Sequence, residues 1–219
     1  MELQPRLIAV RRPRHPRGVV LVLHGGGARG ERVAVSPTQP SVLRMIPVAR
    51  RVARVRDVAV FRLLNTQRGW DGQDTPLQDV RWALARIREQ YDDLPVLLVG
   101  HSLGGRAALL AASEPGVVGA VALNAYLLPG DEAISPTGRR LLFVHGTADR
   151  IASPARATAV AARLSRVTDV ELVEVEGGTH SMLRHHAVFD GAAADLARDL
   201  FAGSPLADRV LGSAETGPA

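Results

Sequence analysis

The sequence contains neither cysteine nor lysine. Without cysteine, the chain has no disulfide, no thiolate metal ligand and no thiol nucleophile. Without lysine, the glycines at positions 25–27 cannot belong to a P-loop, because that phosphate-binding motif needs a lysine after its last glycine.

Long apolar runs are also missing, since none approaches the roughly 18–20 residues needed to span a bilayer. The strongest apolar stretch near the N-terminus, Val19–Leu23, is too short for the core of a signal peptide. A glycine loop follows it in place of a small-residue cleavage site. We therefore expect a cytoplasmic protein that does not bind a membrane.

All 27 basic residues are arginine, and the formal net charge is +5. The arginines are spread over the chain, and their densest group, at positions 11–17, is interrupted by proline and histidine. No aromatic residue lies within that group to stack on nucleic-acid bases. We interpret the group as a solvated turn and expect no nucleic-acid partner.

Short β-branched runs alternate with helical segments along most of the chain. The predicted strands are Leu7–Val10, Val19–Leu23, Val58–Leu63, Val96–Val99, Val117–Leu123, Leu141–Val144 and Val170–Val175. The predicted helices are Ser41–Val55, Pro76–Tyr91, Leu103–Ser113, Pro154–Leu164 and His186–Phe201. This alternation predicts a mostly parallel, doubly wound α/β sheet with helices on both faces. We expect one domain at 1–202 and a flexible C-terminal tail at 203–219.

Two helix starts carry more specific predictions. Thr75 and Gln78 fit a capping box in front of the Pro76–Tyr91 helix. Pro47 either kinks the Ser41–Val55 helix or marks its true start.

A candidate nucleophile lies in the segment Gly100-His101-Ser102-Leu103-Gly104, which fits the G-x-S-x-G motif. The motif follows an apolar strand and precedes a helix, which is the context that a nucleophile elbow requires. Glycines suit so tight a turn because side chains there would collide with neighbouring backbone.

A serine nucleophile needs a base, and the base needs an acid that orients it. Asp149 follows the predicted strand Leu141–Val144 and is our candidate for the acid. Its weaker rivals are Asp131, in a loop further from a strand end, and Asp169, which precedes its strand.

The candidate base is His180, which follows the predicted strand Val170–Val175 and two glycines that allow the loop to curl over the serine. Its rivals, His185 and His186, lie at the start of the last helix. Those two histidines and Asp190 have too little carboxylate support for a metal site, so we predict none.

Acyl transfer also needs amide donors for the oxyanion of the tetrahedral intermediate. One is expected from Leu103, the residue after the nucleophile. The other is expected from the glycine loop after Val19–Leu23, with Gly26 as first choice and Gly27 as second.

Together, His24–Gly27, Gly100–Gly104, His145–Asp149 and His180 resemble the α/β-hydrolase family in both motif and order. The resemblance covers roughly Val19–Phe201, and the compact size is similar to dienelactone-hydrolase-like and small carboxylesterase members. It implies a Ser-His-Asp triad, a two-step covalent mechanism and no cofactor.

Many members of that family insert a helical cap before the acid, but this chain has only a short loop there. The segments Asn65–Asp74 and Asn124–Glu132 are the expected walls of an open site. Trp70, Tyr126 and Leu127 are the expected apolar residues that contact substrate, although Trp70 fits an ordinary half-buried aromatic equally well.

The resemblance implies a serine hydrolase that cleaves a carboxylic ester of a small or medium acyl substrate. A thioesterase, lactonase or acyltransferase with the same triad remains open, as does a non-catalytic ligand-binding protein of this fold. The expected partner is a small-molecule ester or thioester, bound by a monomer or homodimer.

Overall fold

A computed structural model describes residues 4–27, 33–70 and 74–201 of the chain. Seven strands form one sheet, whose order from edge to edge is β1 (Arg6–Arg11), β3 (Val58–Leu64), β2 (Gly18–Leu23), β4 (Val96–His101), β5 (Val117–Leu123), β6 (Arg140–Gly146) and β7 (Asp169–Val175). The edge strand β1 pairs antiparallel with β3, and every other pairing within the sheet is parallel. The predicted α/β fold with a mostly parallel sheet is therefore confirmed.

The α-helices are α1 (Pro40–Val52), α2 (Thr75–Tyr91), α3 (Leu103–Leu110), α4 (Pro154–Leu164) and α5 (His186–Phe201). Two apolar clusters cover the two faces of the sheet. One contains buried residues of α2, α3 and α4, and the other contains buried residues of α1 and α5.

The central strands β2 and β4 are buried along their whole length, as their continuous apolar sequences predict. Chain connections leave β2 toward one side of the sheet and β4 toward the other. The crevice where the strand order reverses therefore lies at the carboxyl ends of β2 and β4. Ligands of doubly wound sheets bind in such a crevice.

The helix ends correct three details of the sequence prediction. Helix α2 begins at Thr75 itself, and the residue before it, Asp74, caps it with no side-chain hydrogen bond, so the predicted capping box is wrong. Helix α1 begins at Pro40 and runs through Pro47, which therefore does not mark its start. Helix α3 ends at Leu110, before the predicted Ser113.

The segment between β5 and β6, residues 124–139, contains one short 3-10 turn, Asp131–Ala133, and no cap domain. None of the helices in the described part of the chain has the length and apolar character needed to cross a bilayer. The tail predicted at 203–219 lies outside the described residues.

Candidate active site

Ser102 occupies the turn that joins β4 to α3. Its backbone has φ 57° and ψ −122°, which side-chain-bearing residues rarely adopt. The turn is held by backbone hydrogen bonds: the Ser102 amide donates to Leu123, and the Ser102 carbonyl accepts from Tyr126. Strained backbone of this kind persists where the surrounding structure enforces it and is typical of functional turns.

The glycines of the motif are required by close backbone contacts. A Cβ atom added to Gly100 would overlap the carbonyl group of Gly104. One added to Gly104 would lie 2.6 Å from the carbonyl oxygens of both Leu23 and His24. The end of β2 therefore packs directly against the turn that carries Ser102.

His180 joins Ser102 to Asp149 in a continuous hydrogen-bonded chain. Its Nε2 lies 3.0 Å from Ser102 Oγ, and its Nδ1 lies 2.8 Å from Asp149 Oδ2. These residues are far apart in sequence and follow β4, β6 and β7, whose carboxyl ends meet at one edge of the sheet. The structure thus brings together the three residues predicted as nucleophile, base and acid.

The Asp149 carboxylate is buried and accepts several hydrogen bonds. Besides His180, the amides of Ile151 and Ala152 donate to Oδ1 at 2.8 and 2.9 Å. Burial by itself raises the pKa of Asp149, but the hydrogen bonds from His180 and the two amides outweigh it, so that the pKa lies below its ordinary value. Asp149 is therefore an anion at neutral pH and can orient an imidazole whose Nδ1 carries the proton.

The rival acids and bases are bound elsewhere. Asp131 forms a two-pronged ion pair with Arg106, with nitrogen–oxygen distances of 2.8 to 3.0 Å. Asp169 pairs with Arg140 at 3.3 Å. His186 lies 3.8 Å from Asp190, one turn further along α5.

The glycine loop after β2 lies beside Ser102. A Cβ atom on Gly25 would lie 2.9 Å from Ser102 Cβ and 3.4 Å from the Leu103 amide nitrogen. Gly26 has φ 116°, and it lines a small cavity together with Leu103. Gly27 is exposed and does not line this cavity, so the structure favours Gly26 over Gly27.

The three predicted substrate-contacting residues have different environments. Trp70 lines the cavity, and the Arg106 guanidinium lies over its ring at 4.0 Å from the centroid. Tyr126 is 39% exposed and lies outside the cavity lining. Leu127 is 6% exposed and packs in the apolar core, and its contact with substrate stays a prediction.

Sequence reasoning missed three buried histidines that surround this site. His24 Nδ1 donates to the Gly25 carbonyl, and its Nε2 accepts from the Asn65 amide at 3.2 Å. His101 Nε2 donates to the His180 carbonyl at 2.8 Å, and His145 Nε2 donates to the Ala152 carbonyl at 3.1 Å. The only sequence signal for these three histidines was that each lies near a predicted site residue or motif glycine: His24 before Gly25, His101 before Ser102 and His145 four residues before Asp149.

Burial lowers the pKa of His24, of His145 and, to about 3, of His101. Below about pH 6.5 these histidines therefore bind protons more readily in the unfolded protein than in the folded protein. We expect the free energy of unfolding to fall as the pH drops from 6.5 towards 4.5. His101, whose pKa in the folded protein is about 3, should contribute a slope of about 1.4 kcal/mol per pH unit in this range, and His24 and His145 should add to the slope in the same direction.

Urea unfolding at several pH values measures this dependence. His101→Gln removes one of the three titrating groups and should give a shallower slope than the parent protein. A free energy of unfolding that stays constant between pH 6.5 and 4.5 would contradict the burial of neutral histidines.

A strained serine turn, a buried Asp-His-Ser chain and a glycine loop at the switch point are together the arrangement expected of a serine-hydrolase site. The sequence model described as "Alpha/beta hydrolase family" matches residues 81–196, more than half of the chain. The chain therefore belongs to the α/β hydrolase family. No curated protein sequence matches it.

Solved structures share this fold at low sequence identity. A lid-less α/β serine hydrolase of Xanthomonas campestris, XC6422, has 18% identity and a TM-score of 0.71, with 92% of this chain and 90% of that chain covered. Est1E of Butyrivibrio proteoclasticus with bound ferulic acid has 15% identity and a TM-score of 0.70, covering 91% and 95%. Thermogutta terrifontis esterase 2 phosphorylated by paraoxon has 16% identity and a TM-score of 0.67, covering 90% and 89%.

Proposed function

We propose that the protein is a serine esterase that hydrolyses a small-molecule carboxylic ester through an acyl-enzyme at Ser102. The observation that carries this proposal is the hydrogen-bonded chain from Ser102 Oγ through His180 to Asp149. A neighbour in fold is described as an esterase phosphorylated by the organophosphate paraoxon, which adds support for the same chemistry here.

In the first step, His180 Nε2 takes the proton of Ser102 Oγ while that oxygen attacks the acyl carbonyl carbon. The amides of Leu103 and Gly26 stabilise the oxyanion, and Asp149 stabilises the imidazolium. His180 then gives its proton to the departing alkoxide. In the second step, His180 activates a water that attacks the acyl carbon and releases the acid, which regenerates Ser102.

The cavity beside the nucleophile suggests a short acyl group. Its described lining includes Gly25, Gly26, Trp70, Pro76 and Leu103, and the cavity has a volume of about 10 Å³, room for little more than one water molecule or methyl group. Pockets for drug-sized ligands are larger, at roughly 300–1,000 Å³. Trp70 is held in place by Arg106, which in turn is paired with buried Asp131, so this wall has little freedom to move.

A panel of acyl donors tests the proposal. We expect the purified protein to hydrolyse p-nitrophenyl acetate with a higher kcat/KM than p-nitrophenyl octanoate, and oxygen esters better than matched thioesters or lactones. Faster turnover of the thioester or the lactone would reassign the substrate class but keep the nucleophile. Absence of turnover on the whole panel would favour a ligand-binding protein and would contradict the proposal.

A further inference from the structure

The main-chain carbonyl of His180 is held by side chains from two other strand ends. His101 Nε2 donates to this oxygen at 2.8 Å, and Asn124 Nδ2 donates to it at 3.4 Å. Asn124 Nδ2 also donates to the carbonyl of the preceding residue, Thr179, at 3.0 Å. The loop that carries His180 is thus held by side-chain hydrogen bonds at two successive carbonyl groups.

The sequence of this loop does not by itself favour one backbone conformation. Gly177 and Gly178 precede Thr179, and Gly177 has φ 65°. Glycine has more backbone conformations available than other residues, so a loop that contains two of them has no strong local preference. Contacts from outside the loop must therefore select the conformation that places His180 between Ser102 and Asp149.

Asn124 is well suited to be a fixed anchor. It is fully buried and has φ 42°, a conformation in which asparagine is more common than most residues. Its Oδ1 accepts from the Gly146 amide at 2.8 Å, and its own amide donates to the Val144 carbonyl at 2.9 Å. Asn124 therefore ties the end of β5 to the end of β6, and from there to the His180 loop.

His101 is a second rigid donor, since it ends β4 and immediately precedes Ser102. It is 5% exposed, and its ring centroid lies 4.8 Å from that of His180. Its Nδ1 is buried and has no hydrogen-bond partner among the described residues. A neutral ring has a single N–H, and this one is committed to the His180 carbonyl. Because His101 stays neutral, it does not repel His180 when that ring takes up a proton.

From this geometry we infer that His101 and Asn124 are positioning residues for His180. They hold its main-chain carbonyl so that the imidazole is aligned with Ser102 Oγ and Asp149 Oδ2 before substrate binds. This inference rests on the proposed function, in which His180 is the base. A displacement of about 1 Å at a reacting group can cost about 10²-fold in rate, so loss of either donor should have a large effect.

The variants separate the hydrogen bond from the space that the side chain fills. His101→Leu removes the donor, whereas His101→Gln restores an N–H that reaches the same carbonyl. Asn124→Asp keeps an acceptor for the Gly146 amide but loses both donations to the loop. His15→Leu is the matched control, because His15 is an exposed histidine in the turn between β1 and β2.

Two readouts are taken: kcat and KM for p-nitrophenyl acetate, and the proton NMR resonance of the His180 Nδ1–H, which reports its hydrogen bond to Asp149. We expect His101→Leu and Asn124→Asp to lower kcat about 10²-fold with KM nearly unchanged. The resonance should shift or broaden in both variants. His101→Gln should regain most of the kcat and the resonance, and His15→Leu should match the parent protein.

Parental kcat and resonance in both His101→Leu and Asn124→Asp would overturn the inference, as would equal losses in His101→Leu and His101→Gln. If His101→Leu shows no cooperative melting transition, Asn124→Asp decides the question. If the parent protein turns over no ester, the proposed function fails, and the resonance alone then tests the positioning role.

Discussion

Replacement of Ser102 by alanine is expected to lower kcat for p-nitrophenyl acetate by about 10⁶-fold, which is the loss that removal of the serine nucleophile causes in a serine protease. The variant loses only the side-chain hydroxyl group. The amide and carbonyl bonds of Ser102 to Leu123 and Tyr126 involve backbone and persist in the variant. The melting temperature should therefore stay close to that of the parent protein.

Ser165→Ala is the matched control for this experiment. Ser165 is exposed at the C-terminal end of α4, so its hydroxyl is outside the hydrogen-bonded chain of the site. Its variant should have parental kcat. Parental activity in Ser102→Ala would mean that another group is the nucleophile.

Replacement of Asp149 by asparagine is expected to lower kcat by about 10⁴-fold through the tautomer of His180. The asparagine oxygen can keep the hydrogen bonds from Ile151 and Ala152, which leaves its amide nitrogen facing His180 Nδ1. That nitrogen donates, so Nδ1 must accept and the ring proton moves to Nε2. A protonated Nε2 cannot take the proton of Ser102.

The matched control is Asp169→Asn, because Asp169 is an exposed aspartate paired with Arg140. It should keep parental kcat. A pH-independent loss in Asp149→Asn with a normal melting temperature fits a tautomer effect. Parental kcat in Asp149→Asn, or a large loss in Asp169→Asn, would show that the acid has been misassigned.

The residues of the hydrogen-bonded chain could be predicted from the sequence because each follows its own apolar strand. Ser102 follows β4, Asp149 follows β6 and His180 follows β7. In a parallel sheet the carboxyl ends of the strands meet at one edge, so local patterns were enough to bring distant residues together.

The contacts that hold this site in place could not be predicted in the same way. His101 and Asn124 reach the His180 carbonyl across 79 and 56 residues of sequence. Neither residue has a local pattern that identifies its partner, because the partner lies in the loop that follows a different strand, β7. The close approach of Gly25 to Ser102 likewise depends on how β2 and β4 pair.

Leu127 shows why loop residues are hard to assign from sequence. An apolar residue in a loop above a sheet can line a cavity or pack into the core, and both environments favour leucine. Leu127 is buried next to a turn at 128–131, in which the Leu128 amide donates a hydrogen bond to the Asp131 carboxylate. Asp131, a weaker candidate for the acid in the sequence analysis, instead pairs with Arg106, whose guanidinium lies over the Trp70 ring.

In the proposed mechanism, Ser102 Oγ is activated by His180 and forms a covalent bond to the reacting centre. The direct measurement is treatment with a fluorophosphonate, followed by intact-mass analysis and peptide mapping. Oγ should displace fluoride from phosphorus and give one adduct per chain, located on Ser102, at a rate greatly reduced in Asp149→Asn. No adduct, or an adduct on another residue, would contradict the account.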